Sequence, residues 1–451
     1  MKVALVNVPS EGGVIVDKDL VGGIGQVWEM GESLSAKIIS FIRKGSVSLP
    51  LLSMAYALAI LKNKGICAKY YESVPLEEFD VVFVYGTMVD HEHENAFARK
   101  IKEAYPNAKV GFIGPFPSKY PEYFKSDFVI AGETESFFLY GFLDEKENYQ
   151  GMIKAEQEVD MDDLPTPDFE GFPIKNYRYL PALDKKPLLT IQASRGCPYS
   201  CRYYCAYGSY QGGKYRKRSP DKLFSDITAL VKNYGIRALQ FRDPTFGLDK
   251  EQVKKLCKLL VDNRVNIEWG IETRMDLLDK DIIKTMADAG LRNINVGVET
   301  VDKEIAELNK RKISEIKHQE EIVRFCREIG VKISAFYIFG YEGDTEKSIK
   351  DLIDYSIKLN TSGARFAIST PFPGTDFFEA LKKQGKIKTF DFRDYNSFKL
   401  VFEHGGLTSE ELAKLRDLAF RKYYFRIGYV AEFLRWKARG LAKTLSKAFV
   451  Q

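Results

Sequence analysis

Cysteine and histidine are scarce in this 451-residue chain, at six and four residues. Six cysteines cannot frame a disulfide scaffold in a chain this long. His91, His93, His318 and His404 leave few partners for a mixed Cys/His zinc site. An excess of one charge is also missing: 67 basic against 62 acidic residues leave a net charge of +5. A dedicated nucleic-acid binder would carry a strongly basic domain, so no nucleic-acid partner is expected. No run of about 18 uninterrupted apolar residues is present, so no transmembrane helix is predicted. The opening MKVALVNVP reads as a strand rather than a secretory signal. These absences together predict a cytoplasmic protein with reduced thiols. With 45% apolar and 29% charged residues, the composition is that of an ordinary globular chain long enough for two or three cored domains.

Strand and helix signals alternate through residues 1–142. KVALVNV, VVFVYG, KVGFIG and FVIAG read as short, wholly apolar strands. LLSMAYALAILKNKG and ENAFARKIKEAYP carry helical apolar spacing, the first closed by Gly65. Apolar strands separated by helices predict an α/β fold with a doubly wound parallel sheet, whose ligands bind at the carboxyl ends of the strands. Residues 143–186, with EVDMDDLPTPDFEGFP, lack periodicity and read as a linker. Alternation resumes over 187–375, with strands LLTIQAS, ALQFRD, NIEWGIET, NINVGVE, KISAFYIFG and ARFAIST. Helical patterns begin near Ser219, Lys250, Asp281, Glu315 and Thr345. Six βα units predict a partial (βα)6 barrel of TIM type, with a second open sheet as the alternative. Residues 376–451 read as a C-terminal helical region.

Three cysteines crowd into SRGCPYSCRYYCAYG, after the first strand of the second domain, where barrel active sites form. Cys197, Cys201 and Cys205 can ligate three irons of a [4Fe–4S] cluster and leave the fourth open to a small molecule. The rival is structural zinc, which takes four ligands in paired spacings; no fourth Cys or His lies nearby. Cys67, Cys257 and Cys326 are scattered and read as buried apolar residues.

Arg-Gly-Cys-Pro followed by two more cysteines resembles the cluster loop of radical S-adenosylmethionine enzymes. That family places two residues between its last two cysteines. Here three intervene, which predicts a one-residue insertion in a bulged loop. The resemblance implies a [4Fe–4S] cluster on Cys197, Cys201 and Cys205, with Tyr204 touching the adenine of S-adenosylmethionine. It extends to the strand ends in order: Asp243 on the second, Glu272 and Arg274 on the third, Gly297 and Glu299 on the fourth, Gly340 on the fifth and TPFPGT on the sixth. Asp243 and Glu299 would suit the ammonium of S-adenosylmethionine and Arg274 its carboxylate, with Gly297 and Gly340 allowing close backbone approach. No catalytic side chain is assigned.

The amino-terminal domain resembles the cobalamin-binding module that precedes one large radical class. By position Thr87, Gly114, Gly132 and Glu133 would approach the corrin and its tail. The Asp-x-His-x-x-Gly motif for a lower axial histidine is absent. His91 and His93, in DHEHEN, would then either approach the corrin or sit in a solvated loop, and a domain that has ceased to bind corrinoid stays open. The resemblance implies radical chemistry on a small-molecule or lipid substrate, cobalamin-dependent methylation of an unactivated carbon first. Cyclisation, coupling, oxidation or rearrangement without methyl transfer is the alternative, and a non-catalytic iron–sulfur or corrinoid-binding protein a further one. An electron donor such as a flavodoxin or ferredoxin is implied as a partner. VGGIGQ at 21–26 lacks Walker spacing and reads as a loop. The segment AEFLRWKARGLAKTLSKAF is basic and amphipathic, fit either to lie on an anionic membrane surface or to dock on the barrel with a solvated basic face.

Overall fold

The computed structural model describes residues 1–10, 16–19, 23–27, 33–43, 45–155, 157–431 and 434. Its first sheet is built from β1 (Lys2–Val6), β2 (Cys67–Tyr71), β3 (Val81–Tyr85), β4 (Lys109–Ile113), β5 (Phe128–Ala131) and β6 (Gly151–Lys154). All pairs are parallel, in the order β2-β1-β3-β4-β5-β6. The central strands β1, β3, β4 and β5 are largely apolar on both faces because both faces are covered. Helix α1 (Leu34–Arg43) precedes the sheet's main crossover, and α2 (Leu52–Asn63) shares a core with Val3, Leu5 and Phe83. The alternate residues Ala4, Val6, Val82 and Val84 pack with Ala98 and Ile101 of α3 (His91–Ala104) on the other side. Strand order reverses between β1 and β3, which opens a crevice at their carboxyl ends.

The stretch read as a linker contributes β6, the edge strand of this sheet. Gly151, Met152 and Lys154 are exposed there, so the strand lacks the apolar pattern that marks its neighbours. Cys67 is exposed at the start of β2, contrary to its buried reading, whereas Cys257 and Cys326 are buried as expected.

The second sheet holds β7 (Leu188–Ile191), β8 (Ala238–Phe241), β9 (Glu268–Thr273), β10 (Leu291–Glu299), β11 (Lys332–Phe339) and β12 (Gly363–Ile368). The six are parallel and adjacent in chain order. Asn293, Asn295, Gly297, Ser334, Phe336, Ile338, Arg365 and Ala367 line one cavity. Their neighbours Ile294, Val296, Ile333, Tyr337 and Phe366 are buried in the outer core. This two-residue alternation curls the sheet around a lumen, as a partial barrel requires. Its outer helices are α4 (Pro220–Tyr234), α5 (Lys250–Asp262), α6 (Lys280–Asp288), α7 (Ile316–Glu328) and α8 (Glu346–Leu359). Asp249, Asp279 and Thr345 fix three of their starts by accepting hydrogen bonds from first-turn amides. Helix α9 (Ser409–Tyr424) packs against β12 and buries Phe420 and Tyr423.

A short segment of the first domain crosses to the barrel. Asp17 and Gln26 exchange backbone hydrogen bonds of 2.8 and 3.1 Å. From this ladder Gln26 accepts from Arg365 at 2.6 Å, and Asp19 accepts from Arg242 at 2.8 Å. Gln26 also lines the barrel cavity.

Candidate active site

The cysteine loop leaves β7 through Ser194–Arg195, which pairs antiparallel with Arg216–Lys217. Gly196 then turns at φ +83°, and a Cβ there would stand 2.0 Å from the Lys214 carbonyl oxygen. Only glycine fits, and the turn aims Cys197 into the barrel. Residues Ser200–Tyr203 form a 3-10 turn. The amides of Tyr204 and Cys205 both donate to the Cys201 carbonyl, at 3.1 and 3.0 Å. The extra residue is therefore absorbed by a helical turn rather than a bulge, and four-residue spacing returns Cys205 to the side of Cys201. All three cysteines line the same cavity of ≈ 350 Å³.

Burial pushes the Cys201 thiol up, and burial with the nearby Cys201 pushes Cys205 up to about 12. Such thiols ionise when a cation takes them as ligands. Among the described residues no three His, Cys, Asp or Glu side chains form a group suited to one metal ion. Three soft thiols around a shared cavity instead fit a cluster in which each takes its own iron.

Of the residues predicted to contact S-adenosylmethionine, Tyr204, Arg274, Gly297 and Glu299 line this cavity. Glu299 adopts φ +66°, beside a register shift between β10 and β11. An L residue held in this region is strained, and the bulge turns its carboxylate into the cavity. There it accepts hydrogen bonds from Tyr204 and, at 3.2 Å, from Tyr341, and pairs with Arg311 at 3.0 Å. Arg274 forks onto Asp276 at 2.9 and 3.0 Å and stacks on Tyr199.

Asp243 and Gly340 stand apart from this set. The Asp243 carboxylate is fully buried and turns back on the loop, accepting from Ser194 Oγ at 2.6 Å and the Ala193 amide at 3.0 Å. Burial pushes it up to about 7 against those two hydrogen bonds. It is a clamp on the base of the cysteine loop, not a wall of the cavity. Gly340 forms a turn whose amide donates to Asp344, beneath Leu412 of the C-terminal region.

A second cavity, of ≈ 500 Å³, lies between the domains at the carboxyl ends of β3, β4 and β5. Gly132, Glu133 and Glu135 of the first domain face Arg195, Tyr207 and Arg242 of the barrel across it. Of the residues predicted at the corrin, Gly132 and Glu133 therefore line this cavity. Thr87 does not: it is fully buried and donates from its amide and hydroxyl to Glu94, at 2.6 and 2.8 Å. Gly114 instead lets β4 pass the Gly86 carbonyl, where a Cβ would sit at 2.9 Å. His91 and His93 begin α3 rather than a loop, with ring nitrogens on the Met88 and Pro9 carbonyls. Burial disfavours charge on Glu133, yet hydrogen bonds from Arg216 and the charge of Arg195 hold its carboxyl below the usual range.

Tyr207 lines both cavities, and its hydroxyl points to Glu272 at 3.3 Å. Tyr207, Arg311 and Tyr341 carry no sequence signal, because nothing in their local pattern tells a cavity wall from a packed loop.

The family model of the Radical SAM superfamily matches residues 191–356, from the end of β7 through most of α8. Residues 191–356 thus match a radical SAM domain. An uncharacterized methyltransferase of Pyrococcus horikoshii is 24% identical over 368 residues, covering 77% of this chain and 79% of the relative. The bacteriochlorophyllide d C-12(1)-methyltransferase of Chlorobaculum tepidum is 23% identical, covering 82% and 81%. The same fold occurs in the radical S-adenosylmethionine methyltransferase TsrM of Kitasatospora setae, solved with cobalamin and a [4Fe–4S] cluster bound. The TM-score is 0.63 at 16% identity, over 85% of this chain and 75% of that one. The α/β architecture of two parallel sheets is thus shared along most of the length.

Proposed function

We propose that this radical SAM enzyme is a cobalamin-dependent methylase acting on an unactivated carbon of a small organic substrate. One observation supports it above the rest: a cysteine-lined cavity and an interdomain cavity meet at a single side chain, Tyr207. In this reading Cys197, Cys201 and Cys205 hold the cluster, Tyr204, Arg274, Gly297 and Glu299 hold S-adenosylmethionine, and Gly132 and Glu133 border the corrinoid. Together these groups supply an electron, a carbon-centred radical and a transferable methyl group when bound.

The chain's own part is positional. Arg311 pairs with Glu299 at 3.0 Å while approaching Cys201 Sγ at 3.9 Å, so a cation stands beside the carboxylate at the cavity wall. A carboxylate so held can receive the ammonium of an amino acid. Asn293, Asn295 and Tyr179 form a continuous neutral hydrogen-bond chain on the lumen wall, at 2.9 and 2.7 Å. Phe336 and Ile338 beside it give the lumen an apolar side. A flavodoxin or ferredoxin would deliver the electron.

The test is anaerobic reconstitution with iron, sulfide and cobalamin, then incubation with S-adenosylmethionine carrying a labelled methyl group. Release of 5′-deoxyadenosine and label in a carbon–methyl product are expected. A loaded cluster without cleavage, candidate substrates present, would overturn the radical reading. Cleavage without corrinoid retention would leave a radical enzyme that does not methylate.

A further inference from the structure

Two helices present apolar faces that nothing among the described residues covers. The inner side of α1, Ala36 and Ile39, belongs to the same core as Ala419, Phe420 and Tyr423 of α9. Its outer side carries Leu34 at 77% and Phe41 at 80% exposure, with Ile38 between them at helical spacing. A further helix begins at Ile427 after α9. Tyr429 anchors it inward, its ring 4.9 Å from that of Tyr424 and its hydroxyl on the Ser362 carbonyl. That leaves Ile427 at 89% exposure, with Val430 and Leu434 also exposed three and seven residues on.

The two segments that carry these faces are mainly basic in sequence. Helix α1 contains Lys37 and Arg43 and no acidic residue. Residues 426–451 contain Arg426, Arg435, Lys437, Arg439, Lys443 and Lys447 against Glu432 alone. The basic amphipathic segment noted in the sequence, AEFLRWKARGLAKTLSKAF, lies outside the described residues apart from Ala431 and Leu434. Among the described residues no helix is long and apolar enough to cross a membrane.

We propose that the outer faces of α1 and the helix from Ile427 dock this protein on the surface of an anionic lipid bilayer. Apolar side chains enter the headgroup boundary, and the surrounding lysines and arginines meet lipid phosphates, the pairing that holds amphipathic helices at such surfaces. A second copy of the chain is a poorer occupant, because an isologous contact would set these basic clusters against each other.

The experiment is co-flotation of the full-length protein with vesicles of phosphatidylcholine alone and of phosphatidylcholine with phosphatidylglycerol. Binding to the anionic vesicles only, weakened by added salt, is expected. The double variant Phe41→Glu/Ile427→Glu should reduce it by roughly tenfold or more, with an unchanged thermal melt. Because both side chains are solvent-facing, loss of folding is not the expected confounder, and the melt detects it. Three results overturn the proposal: undiminished binding by the double variant, a dimer of the wild-type chain that this variant dissolves, or binding that rises when residues 435–451 are deleted.

Discussion

Arg195, two residues before the first cysteine of the loop, forks onto Glu135 of the other domain with bonds of 3.0 and 3.2 Å. Both side chains are buried. The cysteine loop is thereby held from its own barrel by Asp243 and from the neighbouring domain by Glu135. Removing one partner strands a buried charge. Glu135→Ala is expected to cost about 3–5 kcal/mol in denaturant unfolding and to lower the iron bound per chain. Full stability with normal iron content would show the pair to be dispensable.

Each of Cys197→Ala, Cys201→Ala and Cys205→Ala should abolish the visible absorption of a reconstituted cluster and 5′-deoxyadenosine release. Cys67→Ala, at an exposed strand start, should leave both unchanged. A Cys205 variant that keeps its cluster would mean that the helical turn does not deliver this thiol to the metal.

Glu299→Gln keeps the shape but removes the charge that Arg311, Tyr204 and Tyr341 surround. Loss of a charged hydrogen-bond partner is worth about 1.5–3 kcal/mol, so S-adenosylmethionine should bind roughly tenfold to a hundredfold more weakly. Equilibrium binding to the reconstituted protein measures this directly; unchanged affinity would remove Glu299 from the binding site.

Tyr207→Ala opens the partition between the two cavities, whereas Tyr207→Phe keeps it and removes only the hydroxyl at Glu272. The Ala variant is expected to raise 5′-deoxyadenosine formed per methyl group transferred, with the Phe variant close to wild type. Equal ratios in all three proteins would deny Tyr207 a role at the boundary.

Glu133 gives a pH signature. Its folded-state carboxyl is held below the ordinary glutamate range, so its contribution is fully present above that range, near pH 4.3 and upward. It fades as pH falls through the lower folded value. The stability gap between wild type and Glu133→Gln should therefore narrow on acidification below about pH 4. A gap that is flat with pH would show that the carboxylate charge contributes nothing.

Much of this arrangement could be read from residue patterns. The central strands of the first sheet announce themselves because burial on two faces demands continuous apolar runs, and those of the barrel through their apolar content. The barrel helices begin within a residue of the positions anticipated from Ser219, Lys250, Asp281, Glu315 and Thr345, since capping side chains act locally. What escaped was decided by tertiary neighbours. Asp243 ends a strand just as Glu299 does, but only the fold determines that one carboxylate turns back on Ser194 and the other into the lumen. Arg311 lies in a loop with no periodicity and matters because the chain returns it to Cys201. The edge strand β6 lacked an apolar pattern because one side of it meets water.

Gln26 and Asp19 belong to the first domain yet bond to Arg365 and Arg242 of the barrel, and Gln26 forms part of the lumen wall. The barrel wall is thus completed in part by its neighbour. A motion that parts the domains must break these contacts, and it removes Gln26 from the lumen wall. Access to the interdomain space and access to the lumen are thus coupled through the same two contacts.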